Sequence, residues 1–189
     1  MNNPRSPDLE TSEPARAKRQ SLRMTVHKIA GFMARDEYSE RGMSTGDLAE
    51  VRRIDPSEPF TPALWKILLK FVPDHDKLSP HQERQWAILL MAMGTCVDLH
   101  TPAQRFGAAL AKAGWSELRF VRLMEARGDN LVKEIRRLAQ YLASKNQEAD
   151  WSDAAWLLFV EEGDKAVDIR QNIARDYYKQ LYIEENQND

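Results

Sequence analysis

Hydrophobic residues recur at helical spacing along most of this chain. In 129–146, the side chains of Leu131, Ile135, Leu138 and Leu142 fall on one side of a helix at 100° per residue. Comparable stripes predict helices at about 15–36, 62–72, 80–99, 102–113, 116–127, 150–159 and from 164 onward. No segment alternates polar and β-branched apolar residues as a half-buried strand does. The pattern predicts an all-α fold, a compact helical bundle of eight to nine helices.

Three of these helices share one start signal. Thr61, Ser79 and Thr101 each precede a proline. A hydroxyl at the N-cap accepts a hydrogen bond from an unpaired amide, and proline at the first helical position has no amide to leave unpaired. Gly114 and Gly128 are predicted to end two later helices.

The polar segments predict where the folded part begins and ends. Residues 1–14 contain three prolines and no hydrophobic period, which indicates a disordered N-terminal tail. Residues 15–184 are predicted to form one helical domain, either a single unit or two closely packed lobes, and 185–189 a polar C-terminal tail.

Charge is unevenly distributed along the 189 residues. The net charge is only −2, yet 103–145 carries +5 and 146–189 carries −7. The whole molecule therefore gives no sign of a polyanionic partner, whereas one segment of it does.

The chain shows no recognisable catalytic motif. Its single cysteine, Cys96, lies in an apolar run and is predicted to be core, as is Trp65. The four histidines are too far apart to pair as metal ligands on one helix, and the phosphate-loop, dinucleotide-binding and nucleophile-elbow motifs are absent from the sequence. We therefore expect no catalytic residue, metal, cofactor or small-molecule substrate. The longest apolar run is too short to span a membrane, so a cytoplasmic protein is expected.

Basic side chains cover the polar faces of two neighbouring helices. Lys133, Arg136 and Arg137 lie opposite the apolar stripe of 129–146, and Arg119 and Arg122 lie three residues apart on the helix before it. If the turn at Gly128 folds these helices antiparallel, the five cations form one surface that could contact several phosphates. The alternative is that lysine and arginine simply solvate two exposed faces.

Several short motifs resemble, in the same order, those of the CasB family. These are GDLAEVRRIDP (46–56) with the following FTPALWKILLKFV (60–72), then LRFVRLMEA (118–126), IRRLAQYLASK (135–145), DWSDAAWLLF (150–159) and IARDYYKQL (173–181). CasB is the small subunit of Cascade, the type I-E CRISPR surveillance complex. The likeness covers about 28–183. This chain has Asn172 and Ile173 where the family often carries tryptophan before the Ala-Arg-Asp triplet.

The resemblance implies a non-enzymatic subunit of an RNA-guided complex. It implies as partners the other Cascade subunits, a second copy of itself, the guide RNA and both strands of opened target DNA. Matched to the family's motifs, the nucleic-acid-binding residues would include Arg52 and Arg53, Arg119 and Arg122, Arg136 and Arg137, and Arg175.

A different class of function also fits the charge pattern. The acidic segment 146–189 could dock a basic protein partner, in which case the chain would be a helical adaptor and its basic segment only solvated. The two hypotheses differ in salt response, because phosphate contacts weaken linearly with the logarithm of salt concentration.

Overall fold

The computed structural model describes residues 13–34, 42–56, 58 and 61–187, and within them the all-α class is confirmed. These ranges contain nine α-helices and one 3₁₀ turn at His75–Lys77, with no strand beyond an isolated bridge between His100 and Ala149. The helices are α1 Glu13–Met33, α2 Thr45–Arg52, α3 Pro62–Phe71, α4 Pro80–Thr95, α5 Phe106–Lys112, α6 Glu117–Glu125, α7 Gly128–Ser144, α8 Trp151–Phe159 and α9 Asp164–Gln187. Most of the predicted N-terminal tail lies outside the described residues.

Two of the three predicted threonine-proline or serine-proline starts are confirmed. Thr61 accepts a hydrogen bond from the amide of Leu64 at the start of α3, at 3.3 Å. At the start of α4, the Ser79 hydroxyl accepts from the Gln82 amide while the Gln82 side chain accepts from the Ser79 amide, at 3.3 and 2.9 Å. This reciprocal pair satisfies two amides that the helix itself leaves unpaired.

The predicted helix start at Thr101 is wrong. The Thr101 amide donates to the carbonyl of Ala149, which holds this segment against the chain before α8. The helix begins at Phe106 instead, where the backbone amide donates to the Asp153 carboxylate at 3.3 Å. The cap of α5 therefore comes from a residue 47 positions away, which local sequence cannot reveal.

Helix α4 lies at the centre of the core. Every residue from Gln85 to Gly94 is buried, as expected for a helix that is covered on all sides. It packs against α2, α7 and α8, and the Gln85 side chain donates to the Leu158 carbonyl at 2.7 Å. Because α4 contacts both α2 and α7, it sets the distance between them.

The predicted core positions are confirmed for Cys96 and only half correct for Trp65. Cys96 is 3 % exposed, and burial raises the pKa of its thiol to about 12. A thiol of this kind stays protonated and unreactive at neutral pH. On α3 the buried residues are Ala63, Leu64, Ile67 and Leu68, whereas Trp65 is half-buried at the edge of the core.

Helix α9 packs closely on α5 and antiparallel to α6. A Cβ added at Gly107 of α5 would overlap the carbonyl oxygen of Ile173, so α9 approaches α5 at backbone distance. Near the C-terminal end of α6, the Arg170 Nε donates to the Met124 carbonyl at 3.0 Å. Toward its N-terminal end, the rings of Phe120 and Tyr177 stack with their centroids 3.9 Å apart. This pairing brings the C-terminal half of α9 beside the N-terminal half of α6.

Candidate nucleic-acid interface

The two faces of α7 separate as the sequence predicts. Leu131, Ile135, Leu138 and Leu142 are at most 1 % exposed. Lys133, Arg136 and Arg137 are exposed on the opposite side. At 100° per residue these three cations span about a quarter of the helix circumference, with Lys133 between the two arginines.

Arg137 is held in place by a buried carboxylate on its own helix. Its Nη1 donates to Glu134 Oε1 at 2.7 Å, and the side chain of Glu134 is only 7 % exposed. The ion pair orients the guanidinium and offsets part of its charge. Removing Arg137 would leave the Glu134 carboxylate buried without this partner, which is costly.

The side chain of Arg136 extends toward the edge of α7 opposite to Arg137. Its Nε lies 3.3 Å from the Met91 sulfur, and its Nη2 lies 3.5 Å from the carbonyl oxygen of Ile54. Ile54 follows Arg53, which is exposed just after the end of α2. The structure thus brings Arg53 and Arg136 to one side of the molecule, although they are far apart in the chain.

Arg52 has a structural contact. Its Nε donates to the Gly94 carbonyl at 2.7 Å, and this hydrogen bond joins the end of α2 to α4. Here Gly94 permits the close approach, since an added Cβ would lie 2.9 Å from a Val51 methyl carbon. The contact of Arg52 with α4 agrees with the sequence, in which Arg52 lies nearer than Arg53 to the apolar side of the helix.

Arg119 extends the basic surface onto α6. Its guanidinium lies 5.3 Å from the Trp115 ring centroid and 5.8 Å from that of Tyr141, within the range of cation–π attraction. The Tyr141 hydroxyl lies 2.8 and 3.0 Å from the carbonyl oxygens of Ala113 and Gly114, which fixes the ring. Since Arg119 near the start of α6 meets Tyr141 near the end of α7, the two helices are antiparallel, which is the arrangement under which the sequence places their cations on one surface. The predicted role of Gly128 as the end of the preceding helix is wrong, because α6 ends at Glu125 and Gly128 is the first residue of α7.

Arg122 and Arg175 lie farther out. Arg122 is exposed one turn after Arg119 on α6. Arg175 is exposed on α9, where its Nη1 donates to Asn172 Oδ1 at 2.8 Å. Arg175 is therefore separated from the α7 cations by α6.

Sequence reasoning missed Lys145. Its Nζ lies 5.7 Å from the Tyr141 centroid, so Tyr141 has a cation from α6 and another from the end of α7 beside it. The available signal was its spacing of four from Tyr141 on one helix edge. The exposed cations of this region form what we call the basic surface: Arg53, Arg119, Arg122, Lys133, Arg136, Arg137 and Lys145.

A second arginine-containing region is partly neutralised by carboxylates. A cavity of about 490 Å³ between α1, α5, α8 and α9 is lined by Arg19, Arg23 and Arg105 among others. Arg23 pairs with Asp150 at 2.8 Å, and Arg105 pairs with Asp153 and Asp176 at 3.3 and 3.1 Å. Burial raises the pKa of Asp153 despite the nearby Arg105. These pairs make the cavity a weaker attractor of phosphate than the basic surface.

The described residues contain no arrangement typical of a metal centre. No three of their histidine, cysteine, aspartate or glutamate side chains are grouped closely enough to hold a metal ion. None of the helices in the described ranges is both long and apolar enough to cross a bilayer.

Comparison with known proteins identifies a family and two structural relatives. The sequence profile of CRISPR-associated protein Cse2 matches residues 47–178, more than half of the chain. The fold is similar to a chain in the crystal structure of E. coli Cascade bound to a PAM-containing dsDNA target, with a TM-score of 0.56 and 18 % identity over 86 % of this chain and 95 % of that one. It is also similar to CasB from Thermobifida fusca, with a TM-score of 0.62 and 16 % identity over 84 % of this chain and 96 % of that one.

No curated protein sequence matches the chain. At such low identity the two solved structures establish the fold, whereas the profile match covers α2 through most of α9 and includes both helices of the basic surface. The chain belongs to the CRISPR-associated Cse2 family, the CasB-type small subunits of Cascade.

Proposed function

We propose that this protein is a non-catalytic subunit that contacts the phosphate backbones of guide RNA and target DNA through its basic surface. In this role it stabilises the R-loop, the opened DNA in which one strand pairs with the guide RNA and the other is displaced. The observation that carries the proposal is the exposed basic face of α7, flanked by Arg119 on one side and Arg53 on the other.

A surface that contacts phosphates without recognising bases fits such a subunit. Pairing with the guide supplies sequence specificity in RNA-guided recognition, so the protein needs only to hold backbones. Lysine and arginine contacts to phosphate provide affinity that does not depend on sequence. Several cations on two helices and the residues after α2 and α7 can follow a strand over several phosphates.

The intramolecular contacts divide the cations into two groups. Arg119, Arg136 and Arg137 are oriented by an aromatic pair, a carbonyl and a carboxylate, which lowers the entropy lost on binding. Arg122 and Lys133 are exposed on the outward faces of α6 and α7. The first group defines where a strand lies, and the second adds charge to it.

The test is a triple variant, Arg119→Gln, Arg122→Gln and Lys133→Gln, assembled into the complex on guide RNA. Arg137 is left intact because Glu134 beneath it needs its partner. We expect normal assembly but weaker binding of matched DNA, equally for two unrelated targets. Each lost phosphate contact should flatten the slope of log affinity against log salt by about 0.7 for a single strand or 0.9 for a duplex.

A matched control removes three cations elsewhere. Lys18, Lys28 and Lys165 are exposed on α1 and α9, and changing them to glutamine alters net charge by the same amount. We expect the control to retain affinity and salt slope. An equal loss in both variants would mean that only net charge matters, and a loss for one target alone would mean that these residues read bases.

A second copy of the chain in each complex is also proposed, and native mass spectrometry of the assembled complex would count it. The same preparations test the adaptor alternative. If the triple variant binds DNA normally, the basic surface is only solvated and the acidic C-terminal segment becomes the better candidate for the principal contact.

A further inference from the structure

One tyrosine contacts two cations of the basic surface that come from opposite ends of the α6–α7 pair. Tyr141 lies in the last turn of α7. The Arg119 guanidinium of α6 is 5.8 Å from its ring centroid, and the Lys145 Nζ is 5.7 Å from the same point. Both distances are within the range of cation–π attraction, which offsets part of the repulsion between the two positive charges. The ring therefore holds two like charges close together.

The Tyr141 ring is itself fixed by its neighbours. Its hydroxyl lies 2.8 and 3.0 Å from the carbonyl oxygens of Ala113 and Gly114, in the connection between α5 and α6. The buried Trp115 ring meets it edge to face, with the centroids 5.0 Å apart. The Arg119 guanidinium is also 5.3 Å from the Trp115 centroid, so it lies in the corner between the two rings.

Among the described residues, Arg119 and Lys145 form no ion pair with a carboxylate. Glu117 is the carboxylate closest to Arg119 in the sequence of α6, and it accepts the hydroxyl of Tyr178 on α9 instead. Both cations are exposed. Two neighbouring positive charges without an internal anion attract an external one.

A cation that lies against an aromatic ring still has donors for a phosphate. A guanidinium stacked on a ring keeps the N–H groups at its edges free, and an ammonium keeps those that point away from the ring. Because Arg119 and Lys145 share one ring, their donors are close enough to contact neighbouring phosphates of one strand.

We propose that Tyr141 is a positioning residue, whose ring holds Arg119 and Lys145 as one binding unit for neighbouring phosphates of a nucleic-acid strand. The inference rests on the proposed function and deepens it, since it makes an uncharged residue responsible for the geometry of one phosphate subsite. Without the ring, two long side chains would have to be ordered when the strand binds. Tyr141 thus acts through the cations and not through a contact of its own with the strand.

The first test is Tyr141→Leu in complexes assembled on guide RNA. We expect the affinity for matched DNA to fall about fivefold or more, the cost of ordering two flexible side chains on binding. The slope of log affinity against log salt should stay the same, because both charges remain and still contact phosphates. Arg119→Gln should lower the affinity and flatten the slope as well.

A double-mutant cycle shows whether the ring acts through the cations. In complexes that already carry Arg119→Gln and Lys145→Gln, adding Tyr141→Leu should cause no further loss of affinity. A further loss as large as that in the unaltered background would mean that the ring contacts nucleic acid directly or supports the fold, and it would overturn the proposal.

A second series keeps the shape of the ring, so it remains decisive if Tyr141→Leu does not assemble. Tyr141→Phe removes only the hydroxyl and should retain the affinity. Fluorinated phenylalanines at the same position weaken the negative charge on the face of the ring step by step. We expect the affinity to fall as fluorine atoms are added, and a constant affinity across the series would overturn the proposal.

Tyr182→Leu is the matched control, because it removes an exposed tyrosine of α9 that lies outside the basic surface. It should retain both affinity and salt slope, and a loss equal to that of Tyr141→Leu would contradict a specific role of Tyr141. Failure of the proposed function is separately visible, since the triple glutamine variant would then bind DNA like the unaltered protein. If only that triple variant binds weakly, the basic surface contacts phosphates without positioning by Tyr141.

Discussion

Gly107 shows how one absent side chain sets the distance between two helices. A methyl group there would overlap the Ile173 carbonyl and lie 3.0 Å from the Tyr177 amide nitrogen, and both are backbone atoms of α9 that cannot rotate away. We expect Gly107→Ala to lower the free energy of unfolding by about 2 kcal/mol or more, as overpacking at a rigid contact does. Urea denaturation followed by circular dichroism measures it.

Gly31 is the matched control, because an added Cβ meets no atom within 4 Å and the residue lies inside α1. Gly31→Ala should be neutral or raise stability by about 0.5 kcal/mol, since alanine loses less backbone entropy in a helix. A destabilised Gly31→Ala, or a tolerated Gly107→Ala, would contradict the packing described for α5 and α9.

Single residues also show where sequence reasoning stops. The outward direction of Lys133 and Arg137 follows from helical spacing, and the structure agrees. The contact of Arg136 with the Ile54 carbonyl does not follow, because it depends on how α4 separates α2 from α7. Half-burial of Trp65 has the same cause, since neighbouring helices decide which side of an apolar stripe is covered.

Among the helices, the starts of α4 and α6 differ in a testable way. Ser79 makes both hydrogen bonds of a capping box, whereas Ser116 has an N-cap backbone conformation but its side chain makes no capping bond. Ser79→Ala should cost about 1 kcal/mol of stability, and Ser116→Ala only a few tenths. Thermal unfolding of both variants in one buffer compares them, and equal losses would contradict the assignment of the caps.

Local sequence signals predict the start of a helix best where the capping residue is close to that helix in the sequence. Thr61 and Ser79 cap helices that begin where expected, with bonds to residues three positions ahead. The start of α5 differs from the predicted position because the first amide of the helix, that of Phe106, is satisfied by Asp153 across the fold. Spacing and capping residues thus give the number and faces of the helices, whereas ends fixed by tertiary contacts require the structure.

For the molecule as a whole, we expect no nuclease activity. In the part of the chain that the structure describes, carboxylates and histidines form no metal-binding group, and the large basic surface lacks an adjacent acidic cluster. Purified protein incubated with labelled DNA and RNA in magnesium, manganese or zinc should leave both intact. Metal-dependent cleavage that a single aspartate or glutamate substitution abolishes would refute the expectation.

The basic surface draws its cations from α6, α7 and the residues that follow α2 and α7. Phosphate contacts require positive charge at a suitable distance but no particular side chain at a particular position. Loss of Lys133 from α7 could therefore be offset by a lysine gained on α6 at little cost. Under the proposed function, selection acts on the summed charge of this face, so individual positions are free to exchange while the total persists. Divergent family members would then share the positive electrostatic potential of this face more than the particular residues that produce it.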